Sequence, residues 1–229
     1  MINEVNRILG EKTQRNVRGV TKEISVVKEK FLNDWSPKMN SNEQPINPYR
    51  VISEITKAVD VANTIITHDS GFPRDQLVPF WQTVKPRGYI GWGKSTQLGY
   101  GLGLAMGAKL AAPEKQVINI MGDAAFGMSG MDVETAVRSK IPILTIIFNN
   151  GVMTHYADMM PYAAEHWGTN RLLGEYAVVA KGLGAYAERI ETPSQVAAAI
   201  RNGIAANAEG QTSVLEFITK EEEAVPRFW

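Results

Sequence analysis

The 229-residue chain has no cysteine and no run of apolar residues approaching 18, and its 24 Lys+Arg balance its 24 Asp+Glu. Each absence excludes a class of function. Without cysteine there are no disulfide staples, thiolate metal sites, iron–sulfur clusters or cysteine nucleophiles. Without a long apolar run there is no membrane-spanning helix, and the polar stretch MINEVNRILGEKTQRNVRGV gives no signal-peptide pattern. A formal net charge of zero gives no electrostatic footprint for nucleic acid or an anionic membrane. What remains is the profile of a globular protein, with the cytoplasm as the default expectation and 44% apolar residues to build one full-sized core.

Residues 1–44 are polar and charged, with scattered apolar positions and the linker-like SPKMNSNEQPINP, and read as helical turns and a connector. From Pro48 onward, short apolar runs alternate with stretches of helical spacing. The runs are NTIITH (63–68), QVINIM (116–121), ILTIIF (143–148), AYAERI (185–190) and SVLEFI (213–218). Between them lie LGLAMGAKLAA, MSGMDVETAVRSK, RLLGEYAVVAKGL and TPSQVAAAIRNGIAANA. The alternation predicts an α/β fold, a doubly wound parallel sheet with helices on both faces. Ligands of such sheets bind outside the carboxyl ends of the strands.

One segment, Gly88-Tyr-Ile-Gly-Trp-Gly93-Lys94-Ser95, matches the phosphate-binding P-loop letter for letter. That loop needs a buried strand to deliver it, and the preceding FWQTVKPR is not one. The glycine-rich stretch at 99–107 fails the dinucleotide spacing, because Met106 stands where glycine is required.

A stronger signal lies at two strand ends. QVINIM runs into Gly122-Asp123-Ala124-Ala125, and after 24 residues beyond Ala124 comes Asn149-Asn150. Adjacent parallel strands would bring a carboxylate and an amide oxygen together, and these are hard ligands suited to Mg²⁺ carrying a phosphate. Small residues after the strand admit an anion to the backbone, and a helix expected to begin near Met128 adds its positive end. The plainer reading of the same residues is a capped strand-to-helix turn and an ordinary Asn-Asn-Gly turn.

The Gly122-Asp123-Ala124…Asn149-Asn150 pattern is similar to the cofactor signature of thiamine-diphosphate-dependent enzymes, and its surroundings resemble their acetolactate-synthase-like branch. PINPYRVISEI, KPRGYIGWGKSTQLGYGLGLAMGAKLAAP and IPILTIIFNN carry the resemblance further. It covers residues 45–229 as the cofactor-binding domain, and 1–44 resemble the end of the family's middle domain. The cofactors implied are thiamine diphosphate and Mg²⁺. The resemblance assigns Asp123, Asn150 and the Val152 carbonyl to the metal, and Gly122 with the Ala124 and Ala125 N–H groups to the diphosphate. Ala124 departs from the family's third glycine. Leu98 falls where the family wedges the cofactor into its bent form, and the Thr96 carbonyl where it meets the 4′-amino group; plain helix core is the alternative for Leu98.

The implied activity is decarboxylation or carboligation of a 2-oxo acid or related carbonyl substrate, with the cofactor as electron sink. The family's pyrimidine-binding domain, which supplies an activating glutamate, has no counterpart in these residues. The chain is therefore expected to work with a pyrimidine-domain partner chain, in a homo- or hetero-oligomer, and to be incomplete alone. A P-loop nucleotide-binding protein and a non-catalytic subunit retaining the fold are the alternatives. Of the three histidines, His155 lies in the loop after Asn150 and is the candidate acid or base. His68, with Asp69 and Ser70 at the end of the first strand, is a second cofactor-contact candidate. Lys220-Glu-Glu-Glu223 reads as a solvated face, and Pro226-Arg-Phe-Trp229 as a tail over the site or a disordered end.

Overall fold

The structure is a computed structural model that describes Glu4, residues 17–93 and residues 97–226. The chain forms two compact units, residues 1–37 and 38–229. The first unit contains nearly all of helix α1 (Val17–Met39), in which Phe31 and Trp35, one turn apart, pair their rings at 6.2 Å. No helix among the described residues is long and apolar enough to cross a membrane.

In the second unit, six strands among the described residues form one parallel sheet: β1 (Thr64–His68), β2 (Tyr89–Ile90), β3 (Gln116–Gly122), β4 (Leu144–Asn149), β5 (Tyr186–Ile190) and β6 (Ser213–Ile218). Their order is β2-β1-β3-β4-β6-β5. Five fall on the apolar runs of the sequence. The sixth, β2, is two residues long at the sheet edge, too short to leave a pattern, and it lies inside the P-loop-like segment.

The central strands β1, β3 and β4 are almost wholly buried, so both faces must be covered by apolar residues. On one face Ile65, Val117, Met121, Ile147 and Val214 pack with Leu102 and Ala105 of α4, Phe126 of α5 and Ala177 and Ala180 of α9. These helices are α4 (Tyr100–Ala111), α5 (Asp123–Ser129) and α9 (Tyr176–Gly182). Ile66, Ile118, Ile146 and Leu215 alternate to the other face. That face takes α2 (Pro48–Ala58) and α10 (Pro193–Ala208), which also pack against each other. The remaining helices α3 (Phe72–Leu77), α6 (Val133–Arg138), α7 (Tyr156–Met159) and α8 (Pro161–Trp167) are short pieces between strands.

The helix expected near Met128 begins five residues earlier, at Asp123, and a 3₁₀ turn at Gly130–Asp132 separates α5 from α6. The turn after β3 is thus itself the first turn of α5, so Asp123 sits on a helix start rather than in a loop.

The start of α4 is made from another strand's end. Its N-cap, Gly99, has no side chain to cap it. Asp69, fully buried, accepts instead from the N–H groups of Gly99 at 3.0 Å, Gly101 at 2.8 Å and Ser70 at 2.8 Å. Asp69 is therefore a structural cap, and it does not line the cleft described below. Replacing it with Ala leaves those donors without their acceptor, so Asp69→Ala is expected to lower unfolding stability by about 1–3 kcal/mol. Urea denaturation checks this as a lower midpoint at unchanged slope.

Candidate active site

The loops leaving β1, β3, β4 and β6 enclose one cleft of about 380 Å³. Ser70 to Arg74 line it after β1, Gly122 to Ala125 after β3, Asn150 and Val152 to Tyr156 after β4, and Thr219, Lys220 and Glu222 after β6. This is the carboxyl end of the sheet, where the strand pattern led us to look.

Asp123 and Asn150 meet in this cleft because β3 and β4 are neighbours in register, Gly122 opposite Phe148. The Asp123 carboxylate is 3% exposed and accepts from the Ala124 N–H at 2.8 Å and the Gly151 N–H at 2.8 Å. Burial raises its pKa above the ordinary carboxylate value, while the Gly151 and Ala124 N–H groups pull the other way. Among the described residues, backbone groups and not a cationic side chain hold this charge, so a cation in the cleft would relieve its desolvation. The Ala124 N–H, expected to face a diphosphate, is engaged by Asp123.

The Asn-Asn pair divides its work. Asn149 turns inward, donating to Glu216 Oε1 at 2.7 Å and accepting from the Gly151 N–H at 3.2 Å. Asn150 faces the cleft, where its Oδ1 accepts from the Val152 N–H at 3.1 Å and its amide donates to the Thr154 hydroxyl at 3.3 Å. Gly151 has φ +71°, a left-handed turn that favours glycine and lets the chain reverse directly after the strand. Two bonds close the excursion at its base, Leu172 N–H to Gly151 O at 2.8 Å and Met153 N–H to Asn170 O at 2.7 Å. Asn150 and Val152 thus stand on a turn fixed from both sides.

Leu98 also lines the cleft, half-buried in the turn before α4 and packed against the apolar cluster beneath. It is not helix core. His155 stands at the cleft with φ +68°, its ring 5.2 Å from Phe72 and its Nδ1 3.2 Å from Asp158. Thr96, and with it Lys94 and Ser95, lies outside the described residues. The P-loop reading loses its geometry all the same, because Tyr89 and Ile90 of that motif are spent on a strand.

The sequence missed two acidic residues. Glu222, in the run read as a solvated face, is 7% exposed and accepts from Lys38 at 2.5 Å, Asn47 at 3.3 Å and the Ala224 N–H at 3.0 Å. It is buried because this segment does not end at β6: Ile46 pairs with Thr219, drawing the chain after β6 against residues 43–47. Glu216, on β6, is fully buried. A lone acid in an apolar run was the available signal, since such a charge must find partners inside. Arg227 to Trp229 lie outside the described residues.

The family model described as "Thiamine pyrophosphate enzyme, C-terminal TPP binding domain" matches residues 69–217. The chain is 28% identical over 200 residues to the probable acetolactate synthase large subunit of Methanocaldococcus jannaschii, covering 83% of this chain and 33% of that protein. It is 29% identical over 201 residues to the acetolactate synthase of Bacillus subtilis, covering 82% and 34%. With the 2-hydroxyacyl-CoA lyase 2 of Bos taurus the identity is 34% over 146 residues, 62% of this chain and 22% of that protein. The chain spans about a third of the length of the acetolactate synthases it matches.

His68 stands apart from the cleft. It is 1% exposed, and a Cβ at Gly91 would lie 2.1 Å from its Nε2, so the chain passes this ring only as glycine. Its Nδ1 is 2.9 Å from the Asp69 carbonyl and 3.2 Å from the Tyr100 hydroxyl. Burial lowers its pKa below 6.5, the Asp69 carbonyl opposing. The unfolded chain therefore takes up a proton that the folded chain refuses, and stability falls as pH drops from about 6.5 toward the folded pKa, with no contribution above. His68→Gln should flatten the decline below about pH 6.5, by at most about 1.4 kcal/mol per pH unit. Urea denaturation across that range measures the slope.

Proposed function

Since the chain belongs to the thiamine pyrophosphate enzyme family, we propose that it is the cofactor-binding part of an acetolactate-synthase-like enzyme that decarboxylates or ligates a 2-oxo acid or related carbonyl compound. The observation that carries the reading is the convergence of Asp123, Asn150 and Val152 in one cleft with Gly122, Ala125 and Leu98. A carboxylate, an amide oxygen and a backbone carbonyl are the donor set of an oxygen-seeking Mg²⁺ that shares its shell with phosphate. The burial of Asp123, with no cationic partner among the described residues, fits such a guest. In this reading Asp123 Oδ, Asn150 Oδ1 and the Val152 carbonyl hold Mg²⁺, Gly122, Ala124 and Ala125 border the diphosphate, and Leu98 supports the cofactor's bend. Thr96 remains the proposed partner of the 4′-amino group.

Thiamine diphosphate, when bound, supplies the electron sink for making or breaking a bond beside a carbonyl. The chain's own residues do the rest. Phe72, Phe148, Met153 and Met159 make the cleft wall apolar and limit water there. His155, 38% exposed and braced by Asp158 and Phe72, is placed to hold or deliver a proton at the mouth.

A pyrimidine-domain partner chain completes the site in this proposal, and residues 1–44 join the cofactor domain to what precedes it in longer relatives. The exposure of Met159, Tyr162, Trp167 and Leu173, on and after α7, supports association there, since large apolar surface in a group usually marks an interface. Mixing with that partner is expected to release CO₂ from pyruvate or a related acid, whereas a non-catalytic subunit would release none.

Calorimetry and thermal melting test the reading. Thiamine diphosphate with Mg²⁺ at about a hundred times its Kd should add about 2.7 kcal/mol and raise the melting temperature by about 5–10 °C. Omitting Mg²⁺ or substituting Asp123→Ala should abolish that rise. A rise with ATP, but none with thiamine diphosphate, would refute the reading.

A further inference from the structure

We propose that Glu216, which does not line the cleft, is a positioning residue for the metal end of the site, acting through the Asn149 amide on the Gly151 turn. The inference rests on the cofactor reading above.

The register puts the participants together. Glu216 of β6 pairs with Ile147 of β4 and Arg189 of β5. Asn149 lies two residues beyond Ile147, hence on the same face as Glu216 and beside it. The contacts follow that geometry. Glu216 Oε1 accepts from Asn149 Nδ2 at 2.7 Å and Arg189 Nη1 at 2.9 Å, and Oε2 accepts from the Ala177 N–H at the start of α9 at 2.8 Å.

Two acceptors hold the Asn149 NH₂, Glu216 Oε1 at 2.7 Å and, at a longer 3.4 Å, the Gly174 carbonyl, so Glu216 makes the shorter of the two bonds that turn the Asn149 carbonyl the other way. That carbonyl takes the Gly151 N–H at 3.2 Å, and the same N–H reaches Asp123 Oδ2 at 2.8 Å. A continuous relay therefore runs from Arg189 through Glu216, Asn149 and the Gly151 amide to Asp123. Its last link is the turn that presents Asn150 and Val152. A glutamine at 216 can donate as well as accept, and it leaves only the longer Gly174 bond to set which way the Asn149 amide faces. Capping α9 and neutralising Arg189 would by themselves explain a buried acid here; the bond to Asn149 is the part that neither role needs.

The test measures binding, not turnover. Calorimetric Kd values for Mg²⁺ at fixed thiamine diphosphate are taken for the full chain, Glu216→Gln, Asn149→Ala, the double variant, and Ala180→Gly, which loosens α9 without touching the relay. Partners one shell outside a metal typically govern affinity by about 10–100-fold, so both single variants should weaken Mg²⁺ by at least about tenfold. Because they cut one relay, the double variant should bind no more weakly than the weaker single one, and Ala180→Gly should stay within about twofold of wild type. Glu216→Gln within about twofold of wild type, multiplied losses in the double variant, or an equal loss in Ala180→Gly would each overturn the proposal. A wild-type chain that binds no Mg²⁺ with thiamine diphosphate would overturn the cofactor reading, and this inference with it.

Discussion

One amide proton joins the two strands on which the site is built. The Gly151 N–H, just past the end of β4, lies 2.8 Å from Asp123 Oδ2 at the end of β3 and 3.2 Å from Asn149 Oδ1. Parallel strands end on the same side of a sheet, and their hydrogen bonds align the ends but say nothing about the loops beyond. The shared proton extends the alignment one step further. It fixes the distance between the carboxylate of one strand and the turn of the next, which is what a ligand bridging both requires. Gly151 suits the position twice, through its positive φ and through a turn tight enough to bring its N–H back toward β3.

Four buried carboxylates surround this end of the sheet, and their partners separate their roles. Asp69 holds three N–H groups at the start of α4. Glu222 is matched by Lys38 and Asn47, and Glu216 by Arg189, Asn149 and the start of α9. In Glu222 burial alone would raise the pKa, yet Lys38 and the Ala224 N–H bring it below the usual value. Asp123 goes the other way: burial raises its pKa, and N–H groups oppose this only in part. Among the described residues Glu216 and Glu222 have a cationic partner, while Asp69 and Asp123 have N–H groups, and of these two Asp123 alone lines the cleft, which favours it as the proposed metal ligand.

The fold was legible because every central strand of a doubly covered sheet must be apolar throughout, and ILTIIF or QVINIM announces that directly. The proposed metal ligands were legible because Asp123 and Asn150 stand where those runs stop. Pairs made across long sequence separations were not. Asp69 caps a helix that starts 31 residues later, and Glu222 lies 184 residues from Lys38. No local spacing encodes such contacts, so Asp69 looked like a cofactor contact and Glu222 like part of a solvated charge run. The strand β2 escaped for the opposite reason: two residues carry no periodicity, and the glycines and lysine around them in the sequence spelled a different motif. His68 was misplaced because a strand end at the right side of the sheet is necessary for contact with the cleft but not sufficient; Tyr89 and Tyr100 flank its ring instead.

The cleft itself is uneven in a way that bears on how the chain is used. Its floor, from Gly122 to Ala125 and Asn150 to Val152, hangs on strand ends and a relay of short hydrogen bonds. Its wall after β6 is locked to residues 43–47 by paired backbone bonds and by Glu222. The side formed by α7 and α8 is different, a short excursion pinned at its base by Gly151–Leu172 and Met153–Asn170 and exposing Met159, Tyr162 and Trp167 beyond. Rigid groups suit a metal, whose ligands must be set before it arrives; adaptable methionine and aromatic surface suits a protein partner, which brings its own shape. This contrast between bonded floor and exposed apolar side matches the proposed division of labour, in which the chain would hold the diphosphate end and a partner would complete the reacting end.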